Sequence, residues 1–293
     1  RWGCRMVRTG FGVICLAIGL AAAFPARTSA QALGPTDSDL YCAGFFTSRP
    51  IDAMTVLGGE GGGLKNEFSD RDIIYLSRGQ GANPGSQFMV VRPIRDPSAR
   101  ESFPSQRLIM MRLGTLYSEI ARIQVRIVHE GSLTAEVVRA CDSIVAGDLA
   151  IPLTPRSAPA YRVPKVADRF APSSGKPTGM VVAAREFQQN VGEGKIVYLN
   201  LGRSQGAQVG SYLRVFRTAI NRSQDPFEQA ARAYPTEAMG QQMGRQLTRA
   251  ETASLPRIVL GEVMVLTVEE GSSTGIITFS REEISPGDLV ELE

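Results

Sequence analysis

The stretch KIVYLNLGRSQGAQVGSYLRVFR, Lys195 to Arg217, decides the fold, because nearly the same phrase occurs once before, as DIIYLSRGQGANPGSQFMVVR from Asp72 to Arg92. Ile73, Ile74, Tyr75 and Leu76 fall on Ile196, Val197, Tyr198 and Leu199, and Gln80, Gly81 and Ala82 fall on Gln205, Gly206 and Ala207. Gly85 and Ser86 meet Gly210 and Ser211, and Arg92 meets Arg217. A second block follows each copy. Gly131, Ser132, Thr134, Ile144, Gly147, Asp148 and Leu149 recur at the same spacing as Gly271, Ser272, Thr274, Ile284, Gly287, Asp288 and Leu289. Two blocks agreeing in order mark a tandem duplication.

Each copy reads as β-structure. IARIQVRIV alternates through Ile123, Val125 and Ile127, GEVMVLTV is apolar on both faces, and GIITF and DLVEL are short strands bounded by glycine. Short strands at this density of glycine turns cannot bury a face alone, and an open edge invites aggregation. A small closed sheet is therefore expected in each copy. The chain is predicted to be mainly β: two tandem β-barrel modules over roughly 40–153 and 178–293, the second with a short helical insertion at about 225–250. Between them residues 154–177 carry prolines at 155, 159, 164, 172 and 177, the composition of an extended, semi-rigid connector.

The glycines are expected to work as turns: Gly79, Gly81 and Gly85 in the first copy, Gly202, Gly206 and Gly210 in the second, with Gly147-Asp148 and Gly287-Asp288 feeding the last strand of each. Ala207 and Val209 are expected to plug a barrel end. The loop tips, Gln80 and Arg203 to Gln205, are either structural or partner contacts, with Arg203 and Gln205 the candidates. In the insertion, Asp225 caps a helix opened by Pro226 and ended by Pro235. A second helix there places Met239, Met243 and Leu247 on one face, which either packs on its own barrel or meets a partner through adaptable methionines.

The N-terminal 32 residues stand apart. RWGCRMVRTG is basic and acid-free, FGVICLAIGLAAAF is apolar, and ARTSAQA ends in the small-residue pattern of a cleavage site after Ala32. The apolar run is shorter than the roughly 18 residues of a permanent span, so residues 1–32 read as a helical secretory signal. Setting them aside removes Arg1, Arg5, Arg8 and Arg27 and no acid, which takes the formal net charge from +3 to −1. That leaves no basic excess to capture nucleic acid. Export would leave two cysteines, Cys42 and Cys141. In an oxidising compartment they form either one bridge, contributing on the order of 4–5 kcal/mol through its loop of about 100 residues, or two separate buried thiols.

Catalytic patterns fail on context. GSSTG at Gly271 to Gly275 matches the nucleophile elbow, but a strand follows it where that elbow needs a helix. His129 is the sole histidine and ends a strand in the other copy. No HExxH, CxxC or DxDxDG occurs, and neither GGEGGG nor GEGK meets phosphate-loop spacing. Glu269-Glu270 and Glu282-Glu283 lie at polar turns away from aromatics, unlike a glycosidase pair. No catalytic residue, metal site or cofactor is expected.

The repeated motif GKIVYLNLG…QGAQVGSYLRVFR…LGEVMVLTVEEGSSTGIITFS…ISPGDLVEL resembles the C-terminal domain of flagellar-assembly-T-type proteins. It is also similar to small SH3-like barrels of bacterial envelope proteins, often found beside LysM domains. The likeness covers most of Lys195 to Leu292 and, more loosely, Asp72 to Leu153; Ser86 and Ser211 stand where that family favours Asp. The likeness implies the periplasm or outer envelope of a bacterium, and with the failed catalytic patterns the chain is expected to be an exported, non-catalytic binding, assembly or structural subunit whose partner is an envelope protein or peptidoglycan; the lower alternative is an envelope hydrolase using Ser273 or a carboxylate pair.

Overall fold

Alternating apolar residues bend into two closed sheets. The computed structural model describes residues 34–79, 82–98, 100–164, 168–218 and 248–293. After helix α1 (Asp37–Tyr41) and a short strand β1 (Phe45–Thr47), the first barrel is built from β2 (Met54–Gly59), β3 (Ile73–Ser77), β4 (Gln87–Ile94), β5 (Thr115–Val128), β6 (Ser132–Ala140) and β7 (Leu149–Pro152). Its strand order is β5-β4-β7-β2-β3-β6, closed by pairing of β6 with β5, and β1 adds to the outside edge of β5. The second barrel uses β8 (Thr178–Ala184), β9 (Ile196–Leu199), β10 (Tyr212–Arg217), β11 (Ile258–Val268), β12 (Ser273–Ser280) and β13 (Leu289–Leu292). Its order, β11-β10-β13-β8-β9-β12, is the same circuit.

The two circuits share their irregularities. Bulges between Val56 and Gly58, Val90 and Val91, Arg122 and Ile123, and Val125 and Ile127 recur between Val181 and Ala183, Val215 and Phe216, Glu262 and Val263, and Val265 and Thr267. A bulge reverses which face the following residues present. Ile123 and Val125 thus point into the first core, while Ile127, which simple alternation would also bury, is 52 % exposed.

Each barrel encloses its own apolar core, Ile74, Leu76, Val90, Ile123 and Leu133 among others in the first, and Val197, Leu199, Leu213, Leu260 and Val263 in the second. A third core lies between them. Phe46, Met89, Val91 and Leu116 from the first barrel pack against Ala183, Ile196, Tyr198, Met264, Leu266 and Ile276 from the second, with Leu40 and Tyr41 at the margin. The two modules therefore do not swing on their connector. Their mutual geometry is held by the same close packing that holds each interior.

Helix α2 (Gln106–Leu113) lies in an insertion between β4 and β5 that the sequence reading did not anticipate. Buried Gln106 donates from Nε2 to the Val182 carbonyl at 2.8 Å, so this insertion of the first barrel anchors on the second. Of the insertion expected at about 225–250, residues 219–247 lie outside the described residues. Helix α3 (Arg249–Ser254) follows them.

Candidate functional site

Two Arg–Asp pairs explain the repeated ends of the motif. Arg92, at the end of β4, grips Asp148 from Nε at 2.7 Å and Nη2 at 2.8 Å, and also donates to the Ser143 carbonyl. Arg217 repeats this on Asp288 at 2.6 and 2.7 Å, and donates to the Glu283 carbonyl. Both aspartates are buried, and each also accepts a backbone N–H three residues back, from Val145 or Ser285. The Gly-Asp turn is thus one half of a bidentate clamp holding the last strand, which two parallel N–H···O bonds make directional. The glycines at these positions turn the chain, and the arginine duplicated with them is the sequence signal for the clamp.

The linker is a strap. Arg156 reaches fully buried Glu119 of β5 with Nη1 at 3.0 Å and Nη2 at 2.5 Å, and its own N–H donates to the Tyr41 hydroxyl at 2.7 Å. Glu119 takes a further bond from the Gly44 N–H at 3.0 Å. Six residues on, the Arg162 N–H donates to the Tyr212 hydroxyl at 2.7 Å. The Arg162 guanidinium lies 3.9 Å from the Tyr212 ring and bonds Glu262 and Glu293. At the far end, Ser173 Oγ and the Ser174 N–H donate to Glu291 Oε1 at 2.7 and 2.9 Å, while Arg257 bonds Oε2 at 2.8 Å. What composition marked as a spacer is fixed to both barrels by buried carboxylates.

Burial by itself raises the Glu291 pKa, but hydrogen bonds from Ser173, Arg257 and Ser174 outweigh it and lower the value from 4.5 to about 2. A depressed carboxylate stabilises the fold fully above its unfolded pKa, and that stabilisation disappears as pH falls through the folded value. Up to about 3 kcal/mol of stability is therefore expected to drain away between pH 4.5 and 2. Glu291→Gln should flatten that part of the stability–pH curve, measured by urea unfolding at stepped pH; an unchanged slope rejects the assignment.

Beneath the strap a cleft of about 590 Å³ opens between the barrels, lined by Phe45, Met89, Ile151, Leu153, Val209 and Leu266, with Glu119, Arg156, Arg203 and Glu269 as its charged groups. Arg203, a sequence candidate, sits on its rim and donates from Nη2 to the Val268 carbonyl at 3.2 Å. Gln205 is exposed, and its Oε1 accepts the Gly202 N–H at 2.8 Å, which closes its own loop. Ala207 plugs the barrel as expected, whereas Val209 is 54 % exposed and forms part of the cleft wall, a correction to the paired-plug reading. Val209 follows the end of the loop's inward excursion, so its side chain leaves the barrel mouth.

Cys42 and Cys141 form a disulfide, with Cα atoms 5.7 Å apart. Gly85, Gly147, Gly206, Gly210 and Gly287 take φ between 83° and 100°. Gly79 packs on Met54. At Gly202 any Cβ would lie 2.5–2.6 Å from the backbone of Glu269, Glu270 and Ser272, so close approach of two chains dictates glycine there. Met239, Met243, Leu247, Gly81 and Gln80 lie outside the described residues.

Ser273 of the GSSTG turn is a buried β12 residue whose hydroxyl donates to the Leu201 carbonyl at 2.7 Å. His129 is exposed, with Nε2 2.8 Å from Thr134 Oγ1. Glu282 pairs with Arg169. Among the described residues no cluster of three His, Cys, Asp or Glu side chains is placed to hold a metal ion.

No protein-family model matches this chain, and no curated protein matches it. Among the described residues no helix is long and apolar enough to cross a membrane.

Proposed function

We propose that this chain is an exported, non-catalytic protein of the bacterial envelope that acts as a binding or assembly subunit, and that its two SH3-like modules work as one block. The observation that carries this reading is the third core. Duplicated modules joined by a free tether favour reach, whereas modules held by a shared interior and a strapped linker favour a preorganised surface, which lowers the ordering cost of binding. Of the groups a hydrolase would use, Ser273 donates to a backbone carbonyl and Glu282 pairs with Arg169, which favours the non-catalytic reading. The disulfide supports an oxidising compartment, and hence export with residues 1–32 as the signal.

The inter-barrel cleft is the proposed contact surface, with an envelope protein as partner. Its apolar walls supply burial, and Arg203 and Glu269 on the rim supply orientation. Arg203→Glu is expected to lower recovery of the crosslinked complex from native envelopes at least about tenfold while leaving the unfolding midpoint unchanged, because Arg203 makes only an exposed contact. Unchanged recovery sinks the cleft assignment. Cosedimentation of the purified chain with sacculi, lost in the same variant, would instead assign the cleft to peptidoglycan.

A further inference from the structure

In the second barrel a tyrosine and a threonine, opposite one another on the outer face of β9 and β12, hold a piece of extended backbone. Tyr198 Oη donates to the Ala43 carbonyl at 2.8 Å and Thr274 Oγ1 donates to the Gly44 carbonyl at 2.9 Å. Burial raises the Tyr198 pKa well above its usual value, so the hydroxyl remains a donor. Gly44 is required by this grip. Its φ is +77°, and a methyl group there would sit 2.8 Å from the Tyr198 hydroxyl and 2.7 Å from the Tyr117 carbonyl oxygen. Two residues on, Phe46 meets the Tyr198 ring edge-on, with centroids 5.7 Å apart.

The first barrel carries the same pair. Tyr75 and Thr134 are opposite one another on β3 and β6 as Tyr198 and Thr274 are on β9 and β12, and identical bulges set their facing. In the second barrel Tyr198 and Thr274 are 2 % exposed and Val182, in the neighbouring bulge, is fully buried. In the first barrel Tyr75 is 39 % exposed, and its neighbours Leu57, the counterpart of Val182, and Ile127 are 56 % and 52 % exposed. The Tyr75 hydroxyl has no hydrogen-bond partner among the described residues. Thr134 meets His129 at 2.8 Å, and when that Nε2 carries a proton the threonine keeps its own for another acceptor.

We infer that Tyr75 and Thr134, flanked by Leu57 and Ile127, form a second backbone-gripping site, which takes an extended segment of a partner protein with the pattern small–Gly–x–aromatic. The occupant is read from the segment Ala43-Gly44-Phe45-Phe46 that fills the equivalent site in this same chain. A second copy of the chain is poorly suited. The surface that meets Tyr198 includes Phe46, Met89 and Val91, which each copy buries against its own second barrel. On the second barrel the matching positions of Met89 and Val91 are Arg214 and Phe216, and Phe216 lies under the Arg257 guanidinium at 4.5 Å. Around the first-barrel pair, Arg126 and Glu136 form an ion pair at 2.7 Å where the second barrel has Leu266 and Ile276, so the partner segment should be polar beyond its Gly–aromatic centre.

This inference rests on the reading of the chain as a binding subunit but uses a different surface from the cleft. The test is a fluorescence-anisotropy titration of the disulfide-intact chain with a labelled peptide of its own residues 40–49 carrying Cys42→Ser. Saturable binding is expected at a Kd on the order of 0.1–1 mM, as a short flexible segment must be ordered on binding. It should weaken at least about fivefold in Tyr75→Phe, which removes a donor from an exposed position, and in Thr134→Val, which removes one from a half-buried position, and about tenfold or more when the peptide carries Gly44→Ala. The Arg203→Glu chain should bind the peptide normally, which separates this site from the cleft. Absence of saturable binding, or binding that survives loss of both hydroxyls, overturns the proposal. A concentration-dependent dimer abolished by Tyr75→Arg would give the face to a second copy and overturn it likewise.

Discussion

Replacing Arg156 by alanine is expected to cost about 3–5 kcal/mol of unfolding free energy. The carboxylate it leaves is Glu119, whose side chain is fully buried and which, among the described residues, would then keep only the Gly44 N–H as a close partner. A buried carboxylate stripped of its counter-ion loses its compensation without regaining water. The same substitution frees the strap where it crosses the first barrel, because Arg156 also holds the Leu40 carbonyl and stacks 5.5 Å from the Tyr41 ring. Urea unfolding provides the measurement. Glu119→Met combined with Arg156→Met should recover most of the loss, since an apolar pair asks for no desolvated charge. If Arg156→Ala costs less than about 1 kcal/mol, the linker is not clamped as described.

Reducing the Cys42–Cys141 bridge is expected to have a comparable effect, about 4–5 kcal/mol, from the entropy regained by an unfolded chain no longer closed across a separation of 99 residues. The native-state consequence is more specific. The bridge pins the end of α1 to the end of β6, and the next residues, Ala43 and Gly44, are the ones Tyr198 and Thr274 hold. Cys42→Ser with Cys141→Ser should therefore lower the denaturation midpoint and also raise hydrogen exchange across β1 and β9 before the barrels unfold. Equal midpoints with and without reductant would show that the bridge contributes little. Exchange unchanged at β1 would show that the third core holds this segment unaided.

The two barrels were legible because closure of short strands leaves a periodic trace: glycine at each tight turn, apolar residues at every second position, and a duplicated order that chance does not produce. The fate of Ile127 was not legible. It continues the alternation of Ile123 and Val125, and only the bulge at Arg126 turns it outward. The strap was hidden for a related reason, since proline spacing describes the stiffness of a segment and says nothing about Glu119, Glu262 and Glu291, acids far away in the chain that receive it. Tyr75 and Tyr198 read as equals in the aligned repeats. What separates them is that one meets Ala43 across the third core and the other faces outward.

The amino-acid order alone determined the duplication, the mainly-β character and the positions where the chain must turn, because these depend on contacts and torsions within a few residues. Tertiary structure decided that Cys42 meets Cys141, that the modules share an interior, and which of two equivalent tyrosines is occupied. Those outcomes depend on which surfaces meet, and surfaces are assembled from residues tens of positions apart whose facing a single bulge can reverse.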